Sequence, residues 1–228
     1  MSEFATEPAV TTVGDTVLEL REQYASPPQQ RETASIGMWV FLASEVLLFG
    51  ALFSAFTVYR LSHPYAFDAG SAHMEFLIGG INTGILICSS FTMALAVHSS
   101  EEGKQKFILL YLAATMILGA IFLALKFTEY YLHYEEHKFP AFWFEYSGPH
   151  APQVQMFFVF YFIMTGLHAL HMTIGLGILG VLFFRTLLGR FNAAYHTPIE
   201  IGGLYWHFID VVWVFLYAIF YIPGLHAK

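Results

Sequence analysis

The stretch VFLASEVLLFGALF, residues 40–53, decides the architecture. Apart from Ser44 and Glu45 it is apolar, and the apolar run extends outward on both sides to 36–59. Four further runs follow at 76–97, 107–125, 154–184 and 201–222. Each reaches the roughly 20 residues that a helix needs to cross ~30 Å of hydrocarbon. None alternates like a barrel strand, and lipid offers no partner to an open backbone, so all five are read as helices. The fourth is overlong and is expected to tilt or to project beyond the bilayer. The whole chain agrees: of 228 residues, 57% are hydrophobic, 18% aromatic and only 12% charged. A soluble domain carries about twice that charged share. The expected fold class is all-α, a polytopic membrane protein with five transmembrane helices.

Charge in the connections gives direction. Arg21, Arg31, Lys104, Lys106, Arg185 and Arg190 fall on one side, and Arg60, Lys126, Lys138 and Lys228 on the other. The positive-inside rule then places the N-terminus in the cytoplasm and the C-terminus in the periplasm. Residues 1–33 form a polar cytoplasmic tail with a short helix expected near 16–24, and lack the apolar core of a cleavable signal. Residues 34–228 form the five-helix domain. The segment 127–153 is rich in aromatics, including Phe142 and Trp143, and is expected to extend the third spanning helix before an interfacial loop. A net charge of −7 argues against nucleic acid as a partner. The single cysteine, Cys88, excludes an internal disulfide and a cysteine-built metal cluster.

Polar groups at membrane depth are costly, so each needs a reason. Glu45 lies about 14 Å into its span, counted from residue 36. Desolvation there favours the neutral acid unless a cation or several donors face it. Two readings stand: a protonated Glu hydrogen-bonded between helices, or a site that carries protons or meets lipid or a neighbouring subunit. In YWHFIDVVW, 205–213, His207 and Asp210 share a helical surface, and structural pairing at a helix interface is favoured over proton chemistry. Trp206, Asp210 and Trp213 form a second stripe at i, i+4, i+7. His168 and His171 lie near the centre of the fourth span, where interhelical hydrogen bonds are favoured over metal or haem ligation. No Glu stands three residues before any histidine, so the Glu-x-x-His di-iron pattern is absent. Gly80, Gly84, Gly175, Gly177 and Gly180 are read as close-packing notches. Glu45 and Asp210 make one level rather than a staggered ladder, and no proline breaks a span. Both features count against a stand-alone transporter. Arg185 and His98 belong to the cytoplasmic rim, where a guanidinium can hold a lipid phosphate. Glu129 and Glu200 end their spans, within reach of water.

GMWVFLASEVLLF (37–49), FTEYY (127–131), GLHALHMTIG (166–175), FFR (183–185) and YWHFIDVVWVFLY (205–217) together resemble subunit III of haem–copper terminal oxidases. The resemblance runs from about residue 35 to 223 with the motifs in order. It is nearest to the cytochrome c oxidase branch, whose first shared helix carries Ser-Glu-Val as Ser44–Glu45–Val46 does here. It implies a non-catalytic subunit that binds no haem or copper, those groups belonging to partner subunits. Subunit I is the implied main contact, with subunit II, additional small subunits or a respiratory supercomplex as further partners. It also implies structural phospholipids in a cleft, and support of proton uptake and turnover stability. Glu45 matches the family's buried carboxylate and Arg185 its headgroup-binding arginine; His98 is a looser match. His207, Asp210 and Trp213 match a signature without an assigned role. Longer members carry two helices ahead of residues 36–59, which supply one wall of the cleft. Five-helix forms resemble bacterial proteins, so a bacterial plasma membrane is expected. The alternatives are the same role in a quinol oxidase, or a companion of nitric oxide reductase. Other classes are a haem-carrying membrane cytochrome and a free-standing transporter.

Overall fold

Prolines open four of the six α-helices, at the first or second helical position, where a missing N–H costs nothing and the fixed φ suits the turn. A computed structural model describes residues 11–12, 17–18, 26–140, 144–146, 148–191, 193 and 195–225. The helices are α1 (Pro27–Ser62), α2 (Pro64–Ser71), α3 (Phe76–Glu101), α4 (Gln105–Glu135), α5 (Ala151–Leu187) and α6 (Thr197–Phe220), followed by a 3-10 turn at Pro223–Leu225. Among the described residues, five of them (all but α2) are long and apolar enough to cross a membrane.

Several boundaries differ from the sequence reading. α1 begins at Pro27, ahead of the expected domain start at residue 34, because the proline pair starts the helix rather than a coil. The eight-residue α2 lies in the connection between the first two apolar runs. In the tail, Thr11–Thr12 pairs antiparallel with Val17–Leu18, so Val17 and Leu18 are extended where a helix was expected. The rest of 16–24 lies outside the described residues, as do Phe142, Trp143, Arg21 and Lys228. α4 does extend through Glu135, and α5, with 37 residues, is about 55 Å long and outreaches the hydrocarbon layer.

The five long helices alternate in direction. The end carrying the start of α1 is called the tail side, and the end carrying α2 the loop side. α3 and α4 form a tight hairpin on the tail side, where Gly103 takes φ +70°. α6 packs centrally, against α3, α5 and α1, with Trp206, Trp213, Leu216 and Phe220 wholly buried. Trp206 lies between glycines. A Cβ at Gly119 of α4 would stand 2.8 Å from its ring, and one at Gly175 of α5 would stand 3.1 Å away. Of the expected notches, Gly175 is one, and a Cβ at Gly80 would stand 3.4 Å from the Tyr217 hydroxyl. Gly84 and Gly177 face open space, and Gly180 makes only ordinary contact with Met116, so these three are not notches between helices of this chain.

α1 is held mainly at its loop-side half. Phe56 stands 5.0 Å from Phe220, 5.3 Å from Phe67 of α2 and 5.8 Å from Phe160 of α5, ring centre to ring centre. Toward the tail side the helix parts from the bundle.

Candidate functional site: a cleft ending on a Glu–His pair

Where α1 parts from α5 and α6, a cleft of about 640 Å³ opens. Its walls are apolar, with Met38 and Phe41 facing Ile174, Ile178 and Leu182. Gln30 and Arg31 stand at the tail-side mouth beside Tyr195 and Thr197. At the far end, Glu45 meets His171: the carboxylate Oε2 lies 3.0 Å from Nε2. The other ring nitrogen, Nδ1, lies 2.8 Å from the Leu167 carbonyl oxygen. A carbonyl only accepts, so Nδ1 carries a proton. Nε2 then either accepts from a protonated Glu45 or, as imidazolium, donates to an ionised one. One proton is shared across the two helices in both cases. Tyr205 donates to the backbone oxygen of His171 at 3.1 Å, fixing the α5–α6 wall. Arg31 lies 14 residues before Glu45, about 21 Å along the helix.

A second polar centre sits at the loop-side end of α4, α5 and α6. Lys126 is 1% exposed and Glu129 2%. The ammonium donates to Glu129 Oε2 at 2.9 Å, the Tyr161 hydroxyl at 3.0 Å and the Tyr221 hydroxyl at 2.9 Å. Both phenols donate to Glu129 Oε1, at 2.8 and 2.6 Å. All three ammonium protons and both carboxylate oxygens are therefore engaged. The rings of Trp213 and Tyr161 lie 5.0 Å from Nζ, adding cation–π attraction. His133 is buried alongside, 4.0 Å from Glu129. This corrects two expectations. Lys126 is no loop cation and Glu129 is out of reach of water, because α4 continues past both and α5 and α6 close over them. It also corrects the single polar level: Tyr161 lies ten residues from His171, a second level about 15 Å away along α5. No hydrogen bond among the described residues joins the two levels. Lys126 and Glu129 stand at i, i+3, and that spacing is the signal by which the sequence could have disclosed the pair.

The remaining candidates scatter. His168 is 1% exposed and lies between Phe122 and Trp213. Neither of its ring nitrogens has a hydrogen-bond partner, so the expected interhelical bond is absent. Trp206 donates to Ser89 Oγ at 3.0 Å and Trp213 to Thr83 Oγ1 at 3.1 Å, tying α6 to α3. His207 and Asp210 do not pair. His207 Nδ1 bonds Ser90 Oγ at 2.7 Å, and neither Asp210 carboxylate oxygen has a partner. Arg185 lies over the Phe191 ring, and His98 is exposed beside Glu101; neither lines the cleft. Glu200 is half-buried and pairs with His196 at 2.9 Å, at a span end as expected. Among the described residues, no three His, Cys, Asp or Glu side chains are grouped to hold a metal ion.

The family model described as cytochrome c oxidase subunit III matches residues 15–225. The cytochrome c oxidase subunit 3 of Synechocystis is 34% identical, over 82% of this chain and 74% of that protein. Its Danio rerio counterpart is 33% identical, over 87% of this chain and 72% of that protein. A probable quinol oxidase subunit 3 from Staphylococcus haemolyticus is 28% identical, over 83% of this chain and 89% of that protein.

Proposed function

Starting from the cytochrome c oxidase subunit III family, to which this chain belongs, we propose a non-catalytic subunit that holds phospholipid in the α1–α5–α6 cleft and sustains proton uptake by a catalytic neighbour. The membership makes the chain subunit III of a haem–copper respiratory oxidase, in which oxygen reduction belongs to the complex. The observation that carries the lipid reading is the cleft itself. Its ~21 Å from Arg31 to Glu45 matches one leaflet of a bilayer about 40–45 Å thick with headgroups. Its volume of about 640 Å³ is that of a ligand site. Arg31 stands at headgroup level, where a guanidinium meets a phosphate with two parallel hydrogen bonds. The walls take an acyl chain, and the Glu45–His171 proton sits at its deep end. Arg185 and His98 serve the surrounding leaflet from the rim. In this reading the tail side is cytoplasmic, the membrane is a bacterial plasma membrane, and subunits I and II are the neighbours. Haem and copper reside in those neighbours.

The test compares the purified parent complex with Arg31→Ala and Glu45→Ala complexes. Both variants should keep their haem and copper spectra, retain less phospholipid, and lose oxygen-reducing activity sooner during sustained turnover. Unchanged lipid content and lifetime in both would refute the proposal. The likeness to a quinol oxidase subunit favours one second reading, with quinol as the electron donor. Assaying the purified complex with reduced cytochrome c and with quinol separates the two.

A further inference from the structure

A smaller hollow of about 360 Å³ lies between α3 and α6, away from the cleft. Asp210 lines it and is 6% exposed, yet neither carboxylate oxygen has a hydrogen-bond partner. Ser90 of α3 stands beside the carboxylate, but its Oγ is held 2.7 Å from His207 Nδ1, so it offers Asp210 at most one proton and forms no well-aligned hydrogen bond with it. Thr83 is also committed, donating to the Gly79 carbonyl and accepting from Trp213. The rim is apolar and outward-facing: Ile87, Phe91, Val211 and Val214 are all exposed. Ser90 and Asp210 each lie about 20 Å from the start of their helices, close to the midpoint of both.

A carboxyl group with no more than the single Ser90 hydroxyl beside it is costly at that depth in either protonation state, since the acid leaves its O–H unpaired and the anion leaves at least one oxygen so. Phospholipid cannot relieve this. At the bilayer midplane it presents only methylene and methyl groups, and its donors lie at the headgroups. The missing donor must come from something that brings polar chemistry to the centre of the membrane. Small side chains at Ser90 and Ala94 leave room for a close helix–helix approach, the usual device of transmembrane packing.

We propose that this face docks a transmembrane helix of another subunit, one carrying a hydrogen-bond-donating side chain that enters the hollow and binds Asp210. The inference rests on the oxidase-subunit reading, since it requires a neighbouring membrane subunit. His207, anchored by Ser90, frames the hollow, and the apolar rim packs against the flanks of the incoming helix.

The test places a photo-activated benzophenone side chain at Phe91 or at Val214 within the intact oxidase complex. Leu170, exposed at mid-height on α5, serves as the control site. Phe91 and Val214 should cross-link to a transmembrane peptide of another subunit, and Leu170 to lipid. In parallel, Asp210→Leu should lower retention of this chain by the complex in detergent by about tenfold, with Asp210→Asn nearer the parent. Adducts of lipid or quinone alone at both hollow positions would overturn the proposal, as would parental retention of Asp210→Leu. The cross-linking arm uses a native carboxylate, so misfolding of the leucine variant does not blunt it. Isolation of the chain outside any oxidase would sink the family reading instead, a result separable from lipid-only adducts within a complex.

Discussion

Replacing Glu129 with Gln tests whether the loop-side cage is a true buried ion pair. In the parent, the Lys126 ammonium directs three protons at three acceptors between 2.9 and 3.0 Å, one of them a carboxylate. The substitution keeps the shape and removes the countercharge, leaving an ammonium whose side chain is 2% exposed among phenols and an indole. Breaking one partner of such a pair costs about 3–5 kcal/mol, because the surviving charge cannot reach water. Tyr221→Phe should cost less, about 1.5–3 kcal/mol, since one hydrogen bond to each charge is lost while the pair survives. Lys126→Met with Glu129→Gln removes both charges, and its cost should fall well below the sum of the two single changes. Reversible unfolding in mixed micelles reads these differences through tryptophan fluorescence, because the Trp213 ring lies 5.0 Å from Lys126 Nζ. A Glu129→Gln cost below about 1 kcal/mol, the range of solvated pairs, would refute the reasoning. Strict additivity in the double variant would refute it equally.

Three further outcomes are expected. Gly119→Ala should destabilise by about 1–3 kcal/mol, its Cβ pressing on Trp206, whereas Gly84→Ala should be neutral or stabilise by up to about 1 kcal/mol; unfolding midpoints of the two variants should part in opposite directions. Glu45→Leu strands His171 Nε2 at the end of the cleft and should cost about 1–3 kcal/mol, with Glu45→Gln, which can still donate, costing less in the same unfolding measurement. Beyond the end of α4, the hydrogen bond and charge of Lys138 hold the Glu136 carboxyl below the usual Glu range. A depressed value stabilises above the unfolded-chain value of about 4.3 and is lost on acidification through the folded one, so Lys138→Met should cost up to about 1 kcal/mol at pH 7, and the difference should vanish in acid.

The five spans were legible because lipid leaves the backbone one solution, and runs of apolar residues announce it. Glu45 was legible as an anomaly for the same reason. Its partner was not, although His171 had been singled out, because the register of α1 against α5 is set by the Phe56 cluster rather than by any local pattern. Lys126 misled in the opposite direction. A lysine just past an apolar run reads as a rim cation, and only the closing of Tyr161 and Tyr221 over it makes it interior. His207 and Asp210 show the limit of spacing arguments. Residues at i, i+3 can meet on one helix, but here Ser90 of α3 offers His207 a better-placed partner.

The cleft and the cage are two halves of one design. On the loop side, α1 is pinned by Phe56 against Phe67, Phe160 and Phe220, and α4, α5 and α6 are locked by the Lys126 cage. On the tail side α1 keeps the Glu45–His171 pair and a Phe41–Tyr205 ring contact at 5.9 Å while it diverges. Eleven residues, about 16 Å of helix, separate Glu45 from Phe56, so the polar pair sits where the two arms of a V begin to part. A helix fixed at one end can tolerate an open, lipid-sized gap at the other, because the anchoring energy lies beyond the gap. The same geometry makes Glu45 sensitive to what fills the cleft. Its proton is shared across the deep end of the opening, and a change in the spread of α1 acts on the 3.0 Å between its carboxylate and His171.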